Sequence, residues 1–433
     1  MSRDGRTGKP RLPRPLVGAL FLAAVALLTL AARPWLTQLL PAGNLAYLFR
    51  DGRYLVLLQN NAELRASGGF LGSYAEIKIE NGRPGPIEFG TNIYKLDEPF
   101  TNEVTVPPPR PLQEVTLGKW AFRDSNWAAD FPEAAEQMLW FYEREQALQG
   151  RQMRLDGVVA LTTTVVEELL RLTGPVDMPA FATTLTADNF AEVVQYKIEK
   201  EYYENRANWP IDEPKTILKD LIPILEERVR SADPTALLTL AWRLLDEKYV
   251  VLFSKDPLAQ RLIVDRNWGG AIDRTDGNYL YLVNSNVQGV KSSRKINERV
   301  RYSLDRATRR VTLYIEREHT GTRIWPDGEN KNWVRVLVPK GSKLVSARFG
   351  IGEAINEVDI GEEAGKTVFG FWMNTRPQET QDATVVYEIP ADISLSSLTV
   401  QRQPGSNPDE LTVVMDRIER FSGSIKVDQP IDL

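Results

Sequence analysis

Cysteine is absent from all 433 residues. The chain therefore has no disulfide framework, no thiolate metal site and no cysteine nucleophile. Histidine is nearly absent too: His319 is the single one, in a strand-to-loop stretch that reads as surface. That excludes a zinc centre built on several imidazoles and makes a Ser-His-Asp mechanism improbable. Basic charge is outnumbered by acidic charge beyond the N-terminus. Residues 1–32 carry Arg3, Arg6, Lys9, Arg11 and Arg14 against Asp4, a balance of +4, whereas the remainder is at −9. So acidic a bulk is a poor binder of nucleic acid, whose phosphates need a basic face. Internal repeats and long low-complexity linkers are missing as well.

One long apolar run is present. Leu16 to Ala32 reads LVGALFLAAVALLTLAA, without a charge, and Trp35, Leu36, Leu39 and Leu40 follow. About 20 apolar residues cross a bilayer, and tryptophan favours its interface. The expectation is a transmembrane anchor at 16–36. The basic tail 1–15 would stay in the cytoplasm and the remaining chain would lie outside a bacterial cell membrane. A cleavable signal peptide shares this pattern, but Ala31-Ala32 runs directly into Arg33-Pro34.

Length and patterning then divide the rest. Tyr54–Leu58 is a short apolar run, and Leu71–Glu80 alternates apolar and charged residues with period two before an Asn81-Gly82 turn signal. Residues 97–118, with Pro107-Pro108-Pro109 and Pro111, read as a loop. Asp130, Pro132 and Glu133 mark a helix start, with Asp130 as its cap. Asp156–Leu161 reads as a buried strand, Val165–Leu172 as a helix stopped by Gly174-Pro175, and further helices are expected from 188, 214 and 234. Tyr249–Phe253 and Tyr279–Val283 look like buried strands. Past residue 290, seven or so strand-like segments alternate with turns rich in Gly, Pro, Asn and Asp. The expected fold class is α+β multidomain: the anchor, an α/β domain with a mixed sheet over 45–290, and a β-sandwich over 291–433.

Three polar clusters are candidates for chemistry. Asn60, Asn61, Glu63, Arg65, Gly68 and Gly69 follow the first strand. Arg65 offers a fork of donors and the glycine N–H groups could face an anion; an internal ion network that locks the loop explains the same residues. Arg123, Asp124 and Asn126 precede a helix start, where anions are favoured. Asp124 and Asp130 carry the oxygen ligands that Mg requires, and both also suit turn and cap roles. Lys291 with Arg294 forms a third patch, which also reads as a solvated linker.

The runs YLVLLQNNAELRASGGFLGSYAEIKIENGR, RDSNWAADFPEAAE, DGVVALTTTVVEELLRLTGPVDMP and NSNVQGVKSS, with KINERVRYSL and VRVLVPKGSKL later, resemble the bacterial family known as domain of unknown function 4012 over most of 45–420. That family carries no established activity. The order of anchor, strand, arginine-bearing loop and DGVVAL unit is also similar to the LytR–CpsA–Psr phosphotransferases. Those transfer glycopolymers from polyprenyl pyrophosphate carriers, using Mg and arginines. The resemblance implies Arg65 and Arg123 at a pyrophosphate and Mg at Asp124 or Asp130. Where those enzymes tend to show Gly-Gly-Val, this chain has Thr173-Gly174-Pro175-Val176, and 190–260 lacks their arginine-rich segment. Two functions follow as expectations. One is a non-catalytic envelope protein that binds an anionic or glycan ligand, or a partner, with no certain cofactor. The other is a Mg-dependent phosphotransferase acting on lipid-linked glycopolymer precursors.

Overall fold

The computed structural model describes residues 48, 50–81, 83–90, 92–208, 214–287, 289–350 and 352–433. The basic tail and the expected anchor lie outside them. Among the described residues no helix is long and apolar enough to cross a membrane.

The first unit is built on five strands. β1 (Gly52–Asn60), β2 (Phe70–Glu80), β3 (Arg83–Gly90), β4 (Gly157–Thr162) and β7 (Val250–Ser254) form a sheet in the order β3-β2-β1-β4-β7. β5 (Val176–Met178) and β6 (Thr183–Leu185) make a separate small hairpin. β1 and β4 run parallel, and every other pairing is antiparallel, so the sheet is mixed as expected.

Alternating residues of these strands feed two apolar layers. Leu55, Leu57, Val158, Ala160 and Val251 pack under α1 (Ile93–Glu103) and α2 (Phe131–Leu148). Val56, Leu58, Val159, Leu161, Val250 and Leu252 pack under α3 (Thr163–Thr173), α4 (Phe190–Tyr196), α5 (Thr216–Ser231) and α6 (Pro234–Asp246). α4 runs on through a π-turn at Lys197–Glu201. A further helix, α7 (Pro257–Asp265), follows β7.

Four local expectations need correction. Residues 97–118 are not all loop, because Asn92 accepts from the Tyr94 and Lys95 N–H groups and starts α1. Ile93, Leu96 and Phe100 give that helix a buried stripe, with Pro99 inside it. Glu76 of β2 is buried rather than solvent-facing, since α2 covers that face and the Tyr142 hydroxyl donates to it at 2.7 Å. Asp130 stands at the cap position, but its carboxylate accepts from the Ile272 N–H at 2.7 Å. His319 is buried, hydrogen-bonded to the Gly328 carbonyl at 2.9 Å, and burial lowers its pKa.

The C-terminal part is a sandwich of a seven-stranded and a six-stranded sheet around one apolar core. It begins earlier than residue 291. β8 (Asn278–Asn286) pairs with Asn332–Pro339 on one side and Ser397–Gln401 on the other. Its apolar run suits a central strand of either unit, so hydropathy alone cannot assign it.

The two units are joined through the loop after β1. The Ser293 N–H donates to the Ala62 carbonyl at 2.9 Å, and the Asn286 N–H to the Leu64 carbonyl at 2.9 Å. Gln403 reaches the Arg65 carbonyl at 3.0 Å. Gly68 (φ +138°) and Gly405 (φ +71°) meet backbone to backbone, and a Cβ on Gly405 would stand 2.6 Å from the Gly68 carbonyl oxygen. Gly405→Ala is expected to cost about 1–3 kcal/mol through strain and displacement, read as a lower urea midpoint for the whole chain.

Candidate functional site

β1 and β4 are parallel neighbours, and the chain leaves their carboxyl ends toward different layers: β1 into the loop before β2, β4 into α3. Crevices outside such strand ends are where open α/β sheets place ligands. A cavity of about 820 Å³ opens there. Asn60, Thr162 and Thr163 line its floor, and Phe70, Phe190, Val194, Ile198 and Leu218 form an apolar wall. Four cations also reach it, Lys95, Arg123, Lys215 and Lys291, together with the carboxylates Glu98 and Glu199.

Two of those cations belong to a chain of ion pairs. Lys291 pairs with Glu63, and Glu63 accepts from Arg65 at 2.8 Å. Arg65 lies 3.5 Å from Asp124, which also receives Arg123 at 3.3 Å. Arg123 then donates to Asp97 at 2.7 Å. Three cations thus alternate with three carboxylates. Arg65 also donates to the Asn286 carbonyl and lies against the Phe70 ring. Burial raises the pKa of Asp124, opposed by both guanidinium groups.

The end of the chain carries an extra carboxyl. Asp97 and Glu145 interact, and both are buried. Asp97 Oδ1 and Glu145 Oε2 have no hydrogen-bond partner when both carboxyls are taken as ionised. One shared proton satisfies both oxygens, as expected for like charges that cannot both ionise. Burial, reinforced by Asp97, pushes Glu145 up to about 10. Burial also pushes Asp97 up to about 6, against the pull of Arg123. Glu145 therefore keeps the proton at neutral pH and the ion chain stays balanced.

This predicts a pH effect. The native pKa of Glu145 lies above its unfolded value, so stability is fullest below the ordinary carboxylate range. It falls as pH rises toward about 10. Glu145→Gln retains a donor to Asp97 and removes the titration. The variant's urea midpoint should exceed the parent's by a margin that widens from pH 5 to pH 9. The slope difference is at most about 1.4 kcal/mol per pH unit.

Lys215 differs from Arg123 and Lys291. Its Nζ donates to the Ser73 hydroxyl at 2.9 Å and to the Gly72 carbonyl, beside a bulge in the β1–β2 ladder. No carboxylate of the described residues forms an ion pair with it. Burial pushes its pKa down to about 8; Lys291 adds to that and Glu199 opposes it.

The sequence candidates thus fall into three groups. Asn60, Arg123 and Lys291 stand on the cavity wall. Glu63, Arg65 and Asp124 lie buried next to it in the ion chain. The others serve the fold. Asn61 donates to the Gly405 carbonyl, Asn126 donates to the Gly69 carbonyl, and the Gly68 N–H is used by the Arg65 carbonyl, so it faces no ligand. Asp124 and Asp130 share no partner, because Asp130 holds the Ile272 N–H. Among the described residues no group of three or more metal-ligating side chains occurs. The donor set does not fit a Mg site formed by these two. Arg294 is not a solvated linker residue but a partner of Glu167. Lys215, Ser73 and Asp97 were not legible as site residues, since only the tertiary fold brings them to this crevice.

Residues 51–198 match the family model described as Protein of unknown function (DUF4012). The match takes in about a third of the chain. It spans β1 to β6 and α1 to α4 and supplies the cavity floor, while Lys215, Leu218 and Lys291 come from beyond it. No curated protein matches the chain. Among solved structures, a Legionella pneumophila protein provisionally described as a nutrient binding protein is 12% identical. The likeness covers 36% of this chain and 67% of that one, with a TM-score of 0.23. An M1 zinc metallopeptidase from Deinococcus radiodurans is 13% identical over 28% of this chain, with a TM-score of 0.16. The matched part is 32% of the metallopeptidase's length. Likenesses this slight carry no argument about the function of the matched segment.

Proposed function

We propose that this is a membrane-anchored, extracytoplasmic envelope protein that binds an anionic ligand with an apolar body in the cavity at the β1 and β4 ends, without turning it over. The observation that carries this reading is Lys215. Among the described residues it has no ion-pair partner, and it stands in the wall of a cavity where Arg123 and Lys291 are each paired with a carboxylate. Desolvating an uncompensated charge is unfavourable, and an anionic ligand would relieve that cost. The apolar wall on the same cavity suits a hydrocarbon body. Lipid-linked phosphates of the cell envelope combine both properties. The apolar run at 16–36 supports placement at a membrane. Asp124 lies between two guanidinium groups, which favours a structural role for it over metal binding.

The test is a titration of the full chain in lipid nanodiscs with farnesyl phosphate and with farnesol. The reading expects one phosphate per chain, bound at least about tenfold more tightly than the alcohol, the worth of one charge-assisted hydrogen bond. Equal affinity for the two would refute it.

A further inference from the structure

We infer that the rim of this cavity rests on the surface of a phospholipid bilayer. This rests on the reading above in one respect, namely that the cavity takes a lipid-like ligand.

Exposed apolar side chains are ordinary when scattered. Most of those here are scattered, but four stand close to the cavity mouth. Ile324 is 73% exposed and its neighbour Trp325 43% exposed, on a loop of the sandwich. Tyr196, 38% exposed, brings its ring to 6.3 Å from that of Trp325. Tyr203 is 44% exposed and lines the cavity. The segment that carries Tyr196 also places Gln195, Ile198 and Glu199 in the cavity wall. The apolar patch and the cavity mouth are therefore continuous.

The chemistry of the patch selects its occupant. Lys200 Nζ stands 5.8 Å from the Tyr196 ring and 5.9 Å from the Trp325 ring. No carboxylate of the described residues pairs with Lys200, whereas its neighbour Lys197 is paired with Glu201 at 2.7 Å. Tryptophan, tyrosine and lysine beside an exposed isoleucine are the residues that settle at the headgroup level of a bilayer. A protein-binding hot spot favours aromatics and arginine and is depleted of lysine. A rim seated on lipid would let a hydrocarbon ligand pass from bilayer to cavity without crossing water.

The absence of cysteine makes a clean test possible. Ile324→Cys gives the full chain a single thiol on an exposed loop, to be labelled with an environment-sensitive fluorophore. Ile418→Cys, on a strand of the sandwich and 57% exposed, is the comparison. Both are reconstituted into phosphatidylcholine–phosphatidylglycerol vesicles, with and without nitroxide-labelled lipid. We expect blue-shifted emission at position 324 and at least twofold stronger quenching by the nitroxide than at position 418. Equal behaviour of the two probes, whether in water or in lipid, overturns the inference. Titrating the same samples with farnesyl phosphate separates the two claims. Binding without quenching removes the bilayer contact alone, and quenching without binding removes the ligand reading and leaves the contact standing.

Discussion

Lys215→Met should weaken farnesyl phosphate binding by about 10- to 100-fold at pH 7 and leave farnesol binding unchanged. The range is that of a hydrogen bond from a charged donor, about 1.5–3 kcal/mol. Methionine keeps most of the unbranched stem, so packing where α5 begins is retained. The substitution removes the donors to Ser73 and the Gly72 carbonyl, which costs stability. It also removes a desolvated charge without an ion-pair partner, which returns some of it. The expected urea midpoint is therefore close to the parent's. Calorimetry gives the affinities and a denaturation curve the stability. Unchanged phosphate affinity with an intact fold would remove Lys215 from the site.

Arg65→Met should do the opposite, destabilising the chain by about 3–5 kcal/mol while the folded fraction binds phosphate nearly as well as the parent. Arg65 is buried between Glu63 and Asp124 and donates to the Asn286 carbonyl of the sandwich. Removing one member of such a network leaves carboxylates buried without their partner, which is where the large cost arises. The pH dependence has a definite sign. Asp124 already has a raised pKa, and losing Arg65 removes the first of the charges that oppose the rise. Protonation then relieves the buried charge, so the deficit relative to the parent should shrink as pH falls from 7 toward 5. A deficit independent of pH, or a loss of only a few tenths of a kcal/mol, would contradict the role given to Arg65. The contrast with Lys215 matters. Both cations lie near one crevice, but one has carboxylate partners within the protein and the other, among the described residues, has only neutral ones.

The mixed sheet and the sandwich were largely legible because their signals are local. Runs such as Tyr54–Leu58 and the turn chemistry after residue 290 depend on near neighbours. β8 was placed on the wrong side of the boundary because a continuous apolar strand carries no record of which sheet it joins. α1 is hidden in the sequence because Pro99 lies inside it and prolines crowd the residues after it, while the Asn92 cap that starts it stands before the stretch that reads as loop. The loop from Asn60 to Gly69 drew attention correctly, but its polar density mostly serves the joint between the two units. An arginine that clamps a ligand and one that clamps two carboxylates look alike in sequence, and only burial and partners separate them. Lys215 gave no signal at all. Its meaning arises from the bulge at Gly72, from Ser73 and from the missing carboxylate, all of them tertiary facts.

The most direct measurement is the pH dependence of phosphate affinity in the parent chain between pH 7.5 and pH 10. In that window the phosphate keeps a constant charge, whereas Lys215, with its pKa lowered to about 8, loses its proton. The account predicts affinity that declines above about pH 8, by up to tenfold per unit, with proton uptake on binding, and a flat profile in Lys215→Met. A flat profile in the parent would mean that the anion is held by something other than this lysine.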